Sequence, residues 1–256
     1  MDCLHNIAYT EEYLNHLANI DRYLFRPECF TKEAREELDG IIIVTRDFSC
    51  KNHPDYPRGV IGSENDVIVD GNIIYSFHTL NESGSFWSFV HQNGKRYLLF
   101  KQNLYGYSVL DIATGQDYRY YPKGSFPGGE TWIWMIPYYN AQNNILAIDG
   151  CYWACPSSIT LADFSDPMKE TIYLDVNEYH GEGYPDLEFV RWNGTDLVGE
   201  LRVKKSKTEV VIPEAEYTRW FEEAKKHGHT IKQCKRAQQQ DLQATFHPPY
   251  AARDKR

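Results

Sequence analysis

A mainly β, propeller-like fold is predicted by three observations. A four-strand pattern is written twice between Trp87 and Leu174, a weaker copy follows it, and 19 Tyr and 6 Trp in 256 residues favour strands over helices. The first copy reads Trp87-Ser88-Phe89, Tyr97-Leu98-Leu99-Phe100, Tyr107-Ser108-Val109-Leu110-Asp111, a Thr114-Gly115 turn and Tyr118-Arg119-Tyr120-Tyr121. The second reads Trp132-Ile133-Trp134, Asn144-Ile145-Leu146-Ala147-Ile148, Ile159-Thr160-Leu161-Ala162-Asp163, a Ser165-Asp166-Pro167 turn and Thr171-Ile172-Tyr173-Leu174. Matching positions lie about 45 to 52 residues apart, the period of a four-stranded propeller blade.

In chain order, residues 11–24 place Tyr13, Leu14, Leu17, Ile20, Tyr23 and Leu24 near helical spacing behind Thr10, an N-cap residue, and Pro27 ends the run. A second short helix is expected from Thr31 to Gly40. Ile41-Ile42-Ile43-Val44 reads as a buried strand, and residues 47–64, polar with Pro and Gly, read as a long loop. Residues 66–77 form a hairpin turning at Asp70-Gly71. The weaker copy comprises residues 187–192 and 196–203 around Asn193-Gly194, followed by Glu209-Val210-Val211-Ile212. With the first hairpin this makes about four incomplete blades, a low number for a closed ring, so an open or incomplete propeller and a strongly twisted sandwich both fit. Pro213 opens a helix with Tyr217, Trp220, Phe221 and Ala224 on one stripe, a polar helix is expected over 230–243, and residues 246–256 read as frayed. The expected division is a helical segment 1–40, a β body 41–212 and a basic helical segment 213–256.

The net charge of −9 divides unevenly. Residues 1–200 carry 29 acidic and 14 basic side chains, about −15, and residues 201–256 carry 7 and 13, about +6. An acidic body repels phosphate backbones and attracts basic proteins, which argues against a nucleic-acid ligand and for a protein partner with a basic surface. The basic tail docking on its own body is the alternative use of the same asymmetry. The first residues lack a basic and apolar leader pattern, and no apolar run approaches the length of a membrane span. A cytoplasmic location with no membrane contact is therefore expected, and six irregularly spaced Cys suit reduced thiols.

The combination of Tyr97-Leu98-Leu99-Phe100, Asn103-Leu104-Tyr105-Gly106-Tyr107, Asp111-Ile112-Ala113-Thr114-Gly115 and Asp149-Gly150-Cys151-Tyr152-Trp153-Ala154-Cys155-Pro156 resembles a family of uncharacterised bacterial proteins. The resemblance implies β-propeller-like repeats and brings no activity, ligand or catalytic residue with it.

Cys151 and Cys155 are spaced C-x3-C with no second ligand pair nearby, so buried thiols on a strand or bulge are expected rather than a metal site. His227, His229 and Cys234 sit in a polar tail. The sequence contains no nucleophile elbow, zinc-protease helix motif, P-loop or dinucleotide fingerprint. His53, Asp55 and residues 61–66, with Ser63, offer a nucleophile and a base only by chain proximity. Glu130, Asp149, Asp163 and Asp166 could gather at one end of the sheets around a cation or a basic side chain.

The aromatic and acidic residues together mark a recognition surface: Glu130, Trp132, Trp134, Tyr138, Tyr139, Asp149, Tyr152 and Trp153. The function they predict is a non-catalytic binding module for a basic protein, one version being an antidote to a basic toxin, with no cofactor or metal. A hydrolase or lyase on a propeller scaffold is the alternative, and a carbohydrate-binding module the third.

Overall fold

A computed structural model describes residues 4–51, 53–54, 56–81, 85–153, 155–180, 187–203 and 206–227. The chain folds as four antiparallel sheets laid out in sequence order. The first contains β1 (Phe30–Leu38), β2 (Ile41–Cys50), β3 (Val60–Val69) and β4 (Asn72–Leu80); the second contains β5 (Phe86–Val90), β6 (Arg96–Phe100), β7 (Tyr107–Asp111) and β8 (Gln116–Tyr120). The third contains β9 (Ile133–Asn140), β10 (Ile145–Cys151), β11 (Ser158–Asp163) and β12 (Tyr173–Asp175), and the fourth, among the described residues, β13 (Leu187–Asn193), β14 (Asp196–Val203) and β15 (Ser206–Ile212). Within every sheet each strand pairs with its neighbour in sequence, the meander of a propeller blade.

The sheets pack face to face in a row. Ile41, Ile43 and Val67 of the first sheet join Leu98, Phe100 and Leu110 of the second in one apolar cluster. The other face of the second sheet, with Leu99, Tyr107 and Val109, packs on Leu146, Ile148 and Ala162 of the third. Ile145, Ala147 and Leu161 then face Leu187, Leu197 and Ile212 of the fourth. β6, β7, β10 and β11 are buried on both faces, which is why they read as continuous apolar runs. Among the described residues no cluster joins the fourth sheet to the first, so the row is propeller-like without a visible closing contact.

Among the described residues three α-helices sit around this row. α1 (Glu11–Leu24) is capped by the Thr10 side chain, which accepts the Tyr13 N–H, and buries Ile20 and Leu24 against Phe48, Val60 and Leu80 of the first sheet. α2 (Val176–His180) is a single turn after β12. α3 (Glu214–His227) lays Tyr217, Trp220, Phe221 and Ala224 on the core shared by the third and fourth sheets, as the stripe predicts.

Two expectations for the first sheet are corrected. Residues 30–38 form strand β1, not a helix, so the β body begins at Phe30. Asp39-Gly40 turns it directly onto β2, with φ of 50° and 77°, as Asp70-Gly71 turns β3 onto β4 with 50° and 78°. β1 lies at the sheet edge and is solvated on both faces, so its side chains are charged and give no period-2 pattern. The expected loop 47–64 is mostly strand, and only residues 51–59 connect β2 to β3. Ser63 on β3 and Asn65 just beyond the segment are buried and paired, Ser63 with Thr79 and Asn65 Oδ1 accepting the Thr45 hydroxyl at 2.9 Å. The expectations for residues 230–243 and 246–256 lie outside the described residues.

Candidate functional site

The recognition residues chosen from sequence divide among three environments. Trp132, Trp134 and Tyr152 are more than nine-tenths buried and do not lie on an open face. With Tyr105, Tyr120 and Tyr173 they wall a cavity of about 30 Å³ between the second and third sheets. Trp132 packs edge-on to Tyr152 and Trp134 edge-on to Tyr173, with ring centroids 5.3 and 5.7 Å apart. Trp132 Nε1 and Thr160 Oγ1 are buried in the cavity wall without a hydrogen-bond partner among the described residues.

Tyr138 and Asp149 face the opposite way, into the seam between the third and fourth sheets. Tyr138 stacks on Phe189 at 4.0 Å, and Asp149 Oδ1 accepts the Phe189 N–H at 2.8 Å. Burial lifts the Asp149 carboxyl from its ordinary value to about 6, against the opposing pull of the Phe189 N–H and the Tyr138 hydroxyl, with Glu188 adding to the rise. Tyr139 braces the seam between the second and third sheets, its ring 4.4 Å from Phe89 and its hydroxyl donating to Asn144 Oδ1 at 2.6 Å.

Trp153 and Glu130 are exposed, and Trp153 Nε1 donates to the Tyr105 hydroxyl at 2.7 Å. Two further exposed residues that sequence reading missed lie on β9. Register along β9 and β10 slips between Asp149 and Gly150, which pair with Ile136 and Trp134, so Met135 is the extra residue of a bulge. Met135 and Ile136 are both 45% exposed and Trp153 is 49% exposed. The sequence signal was Gly150 itself, a glycine inside a strand pattern.

Cys151, at the end of β10, is partly buried and Cys155 is exposed, so the expected pair of buried thiols is corrected for Cys155. Among the described residues no group of three or more His, Cys, Asp or Glu side chains is placed to hold a metal ion. His229 and Cys234 lie outside the described residues, as does Asp55. Ser63 is buried against Thr79 and Asn65, and the His53 ring packs between Tyr23 and Tyr56. Asp163 and Asp166 act as turn residues, accepting the Ser165 and Met168 N–H groups.

A second site, invisible to the sequence reading, lies under α1 where the first sheet meets the second. It is a cavity of about 400 Å³ whose charged lining is Asp21, Arg46, Glu64, Asp66, His78 and Arg119. Pairing places Glu33, Arg46, Glu64 and His78 directly opposite one another across β1 to β4, a row of alternating charge type. His78 Nδ1 lies 2.9 Å from Asp21 Oδ2 on α1, and Nε2 lies 3.9 Å from Glu64 Oε1. Arg119 reaches in from β8, its Nε on Asp117 and its Nη2 donating to the Tyr75 hydroxyl at 2.9 Å.

No protein-family model matches this chain, and no curated protein matches it. Among solved structures it is similar to a bifunctional GH43-CE protein of Bacteroides eggerthii, at 10% identity and a TM-score of 0.29, over 72% of this chain and 24% of that one. The chain spans about a quarter of that structure's length. Among the described residues no helix is long and apolar enough to cross a membrane.

Proposed function

We propose that this chain is a non-catalytic binding module that engages a protein with a basic surface, at the end of the third sheet carrying Met135, Ile136 and Trp153. The observation behind the reading is the bulge opposite Gly150, which leaves Met135 and Ile136 exposed together on β9, with Trp153 exposed three residues past Gly150 in the chain. Large apolar side chains held in water on a rigid sheet are the anchors a partner buries. Exposed Glu130 and the charge of about −15 over residues 1–200 supply the field that draws a basic partner in. A basic toxin, such as a nuclease, is one partner class of that charge. Trp132, Trp134 and Tyr152 serve this surface from behind, as the packed wall that fixes the bulge.

The test is calorimetry with the partner found by crosslinking in the native host. Trp153→Ala and Met135→Ala are each expected to weaken binding at least about tenfold. Ile73→Ala, at an exposed position of the first sheet, is the control and leaves the affinity unchanged. Equal dissociation constants for all three variants and the parent would reject the surface.

A further inference from the structure

We infer that the cavity under α1 is a second, independent binding site, for a small zwitterion of amino-acid size that carries an ammonium and a carboxylate. Three elements build it: α1 contributes Asp21, the first sheet Arg46, Glu64, Asp66 and His78, and the second sheet Arg119. A volume of about 400 Å³ lies within the range of small-molecule sites. The six ionisable side chains gathered at the junction of two sheets and a helix keep between 14% and 41% of their surface exposed, so a ligand entering from solvent reaches them.

The signs select the ligand. A simple anion entering the cavity meets three carboxylates, and a simple cation meets two guanidinium groups; a molecule bearing both charges matches both sets. Among the cations, Arg46 is clamped by Asp66 at 2.7 Å and Glu33 at 3.2 Å. Arg119 is paired with one carboxylate, Asp117, through Nε, and spends Nη2 on the neutral Tyr75 hydroxyl, the one contact that an incoming carboxylate outcompetes because charge-assisted bonds are about twice as strong. Among the acids, Asp66 accepts from both Arg46 and Ser76, and Asp21 is engaged by His78 at 2.9 Å. Glu64 stands 3.9 Å from His78 Nε2, beyond hydrogen-bond distance. Arg119 therefore takes the carboxylate and Glu64 the ammonium, with Asp21 holding the His78 ring beside Glu64.

The experiment is titration calorimetry of the full chain with free L-α-amino acids, their N-acetyl derivatives, the corresponding amines and neutral sugars. At least one free amino acid is expected to bind, and to lose roughly tenfold or more in affinity on N-acetylation and again on removal of the carboxylate. Arg119→Gln should weaken the amino acid and spare the amine; Glu64→Gln should weaken both. Should either variant fail to fold by circular dichroism, Ser76→Tyr fills the cavity from an exposed position with all six charges kept, and is expected to abolish binding. The inference is overturned by no amino acid binding at millimolar concentration, by N-acetyl derivatives or sugars binding as well as amino acids, or by folded variants that bind like the parent. None of these outcomes involves Trp153 or Met135, so this site and the protein-binding surface stand or fall separately.

Discussion

The Trp132 indole lies directly on the backbone of Gly150, so closely that a Cβ at that position would sit 2.6 Å from Trp132 Cε2 and 2.3 Å from the Ile133 carbonyl oxygen. This contact holds the β9–β10 bulge, and the bulge in turn exposes Met135 and Ile136. Gly150→Ala has nowhere to place its methyl group without moving backbone, and is expected to cost about 3 kcal/mol, at the upper end of overpacking. Urea denaturation followed by tryptophan fluorescence measures it. An unchanged midpoint would mean that both the indole and the Ile133 carbonyl give way without cost.

Asp149 makes stability depend on mildly acidic pH. Its folded carboxyl titrates at about 6 against an ordinary value of 3.8, so between these values the folded state holds a proton that the unfolded chain has released. Stability therefore falls as pH rises through that window and levels off above it. The side chain keeps partial solvent contact, which limits the expected fall to on the order of 1 kcal/mol. Asp149→Asn keeps an oxygen for the Phe189 N–H, and should match the parent near the low end of the window while exceeding it at neutral pH. Urea midpoints at both pH values decide it.

What the sequence made legible follows burial. β6, β7, β10 and β11 are covered on both sides and announce themselves as apolar runs, and Tyr217, Trp220, Phe221 and Ala224 mark the single apolar stripe of α3. β1 gave no such signal, because Lys32, Glu33, Arg35, Glu36 and Glu37 protect a solvated edge and resemble a charged helix; the Asp39-Gly40 turn was the available clue. At the site, aromatic density singled out Trp132, Trp134 and Tyr152 as an open recognition face, and they are instead a packed wall, a distinction that composition cannot make. The cavity under α1 was hidden for another reason. Asp21, Glu64, His78 and Arg119 are distant in sequence and meet only through strand register and sheet packing.

Lys101 tests the seam between the second and third sheets. The side chain is buried, and its Nζ donates to the Trp134 carbonyl at 2.8 Å, beside the bond from the Trp134 N–H to Leu104 O. Lys101→Ala removes a buried charged donor and opens a void at once. A loss of about 3 kcal/mol is expected. Lys101→Met, which keeps the stem, should recover part of it, and thermal melts of the two variants separate packing from the hydrogen bond.

α3 closes the far end of the row. The fourth sheet has three strands among the described residues, and its core face is completed by Tyr217, Trp220 and Phe221, with the Asn143 side chain donating to the Tyr217 hydroxyl at 2.7 Å. Trp220 is only 2% exposed and stacks on Tyr179. Trp220→Ala is expected to cost about 3–5 kcal/mol, the range for emptying a large aromatic site. In a row of sheets whose apolar clusters, among the described residues, join only neighbours, that loss should be felt unevenly. Amide exchange is expected to speed up most in β13 to β15, less in β10 and β11, and least in β1 to β4, which share no cluster with α3. Uniform acceleration across all four sheets would instead indicate a single cooperative unit, and would show that the first sheet feels the fourth through contacts other than these clusters.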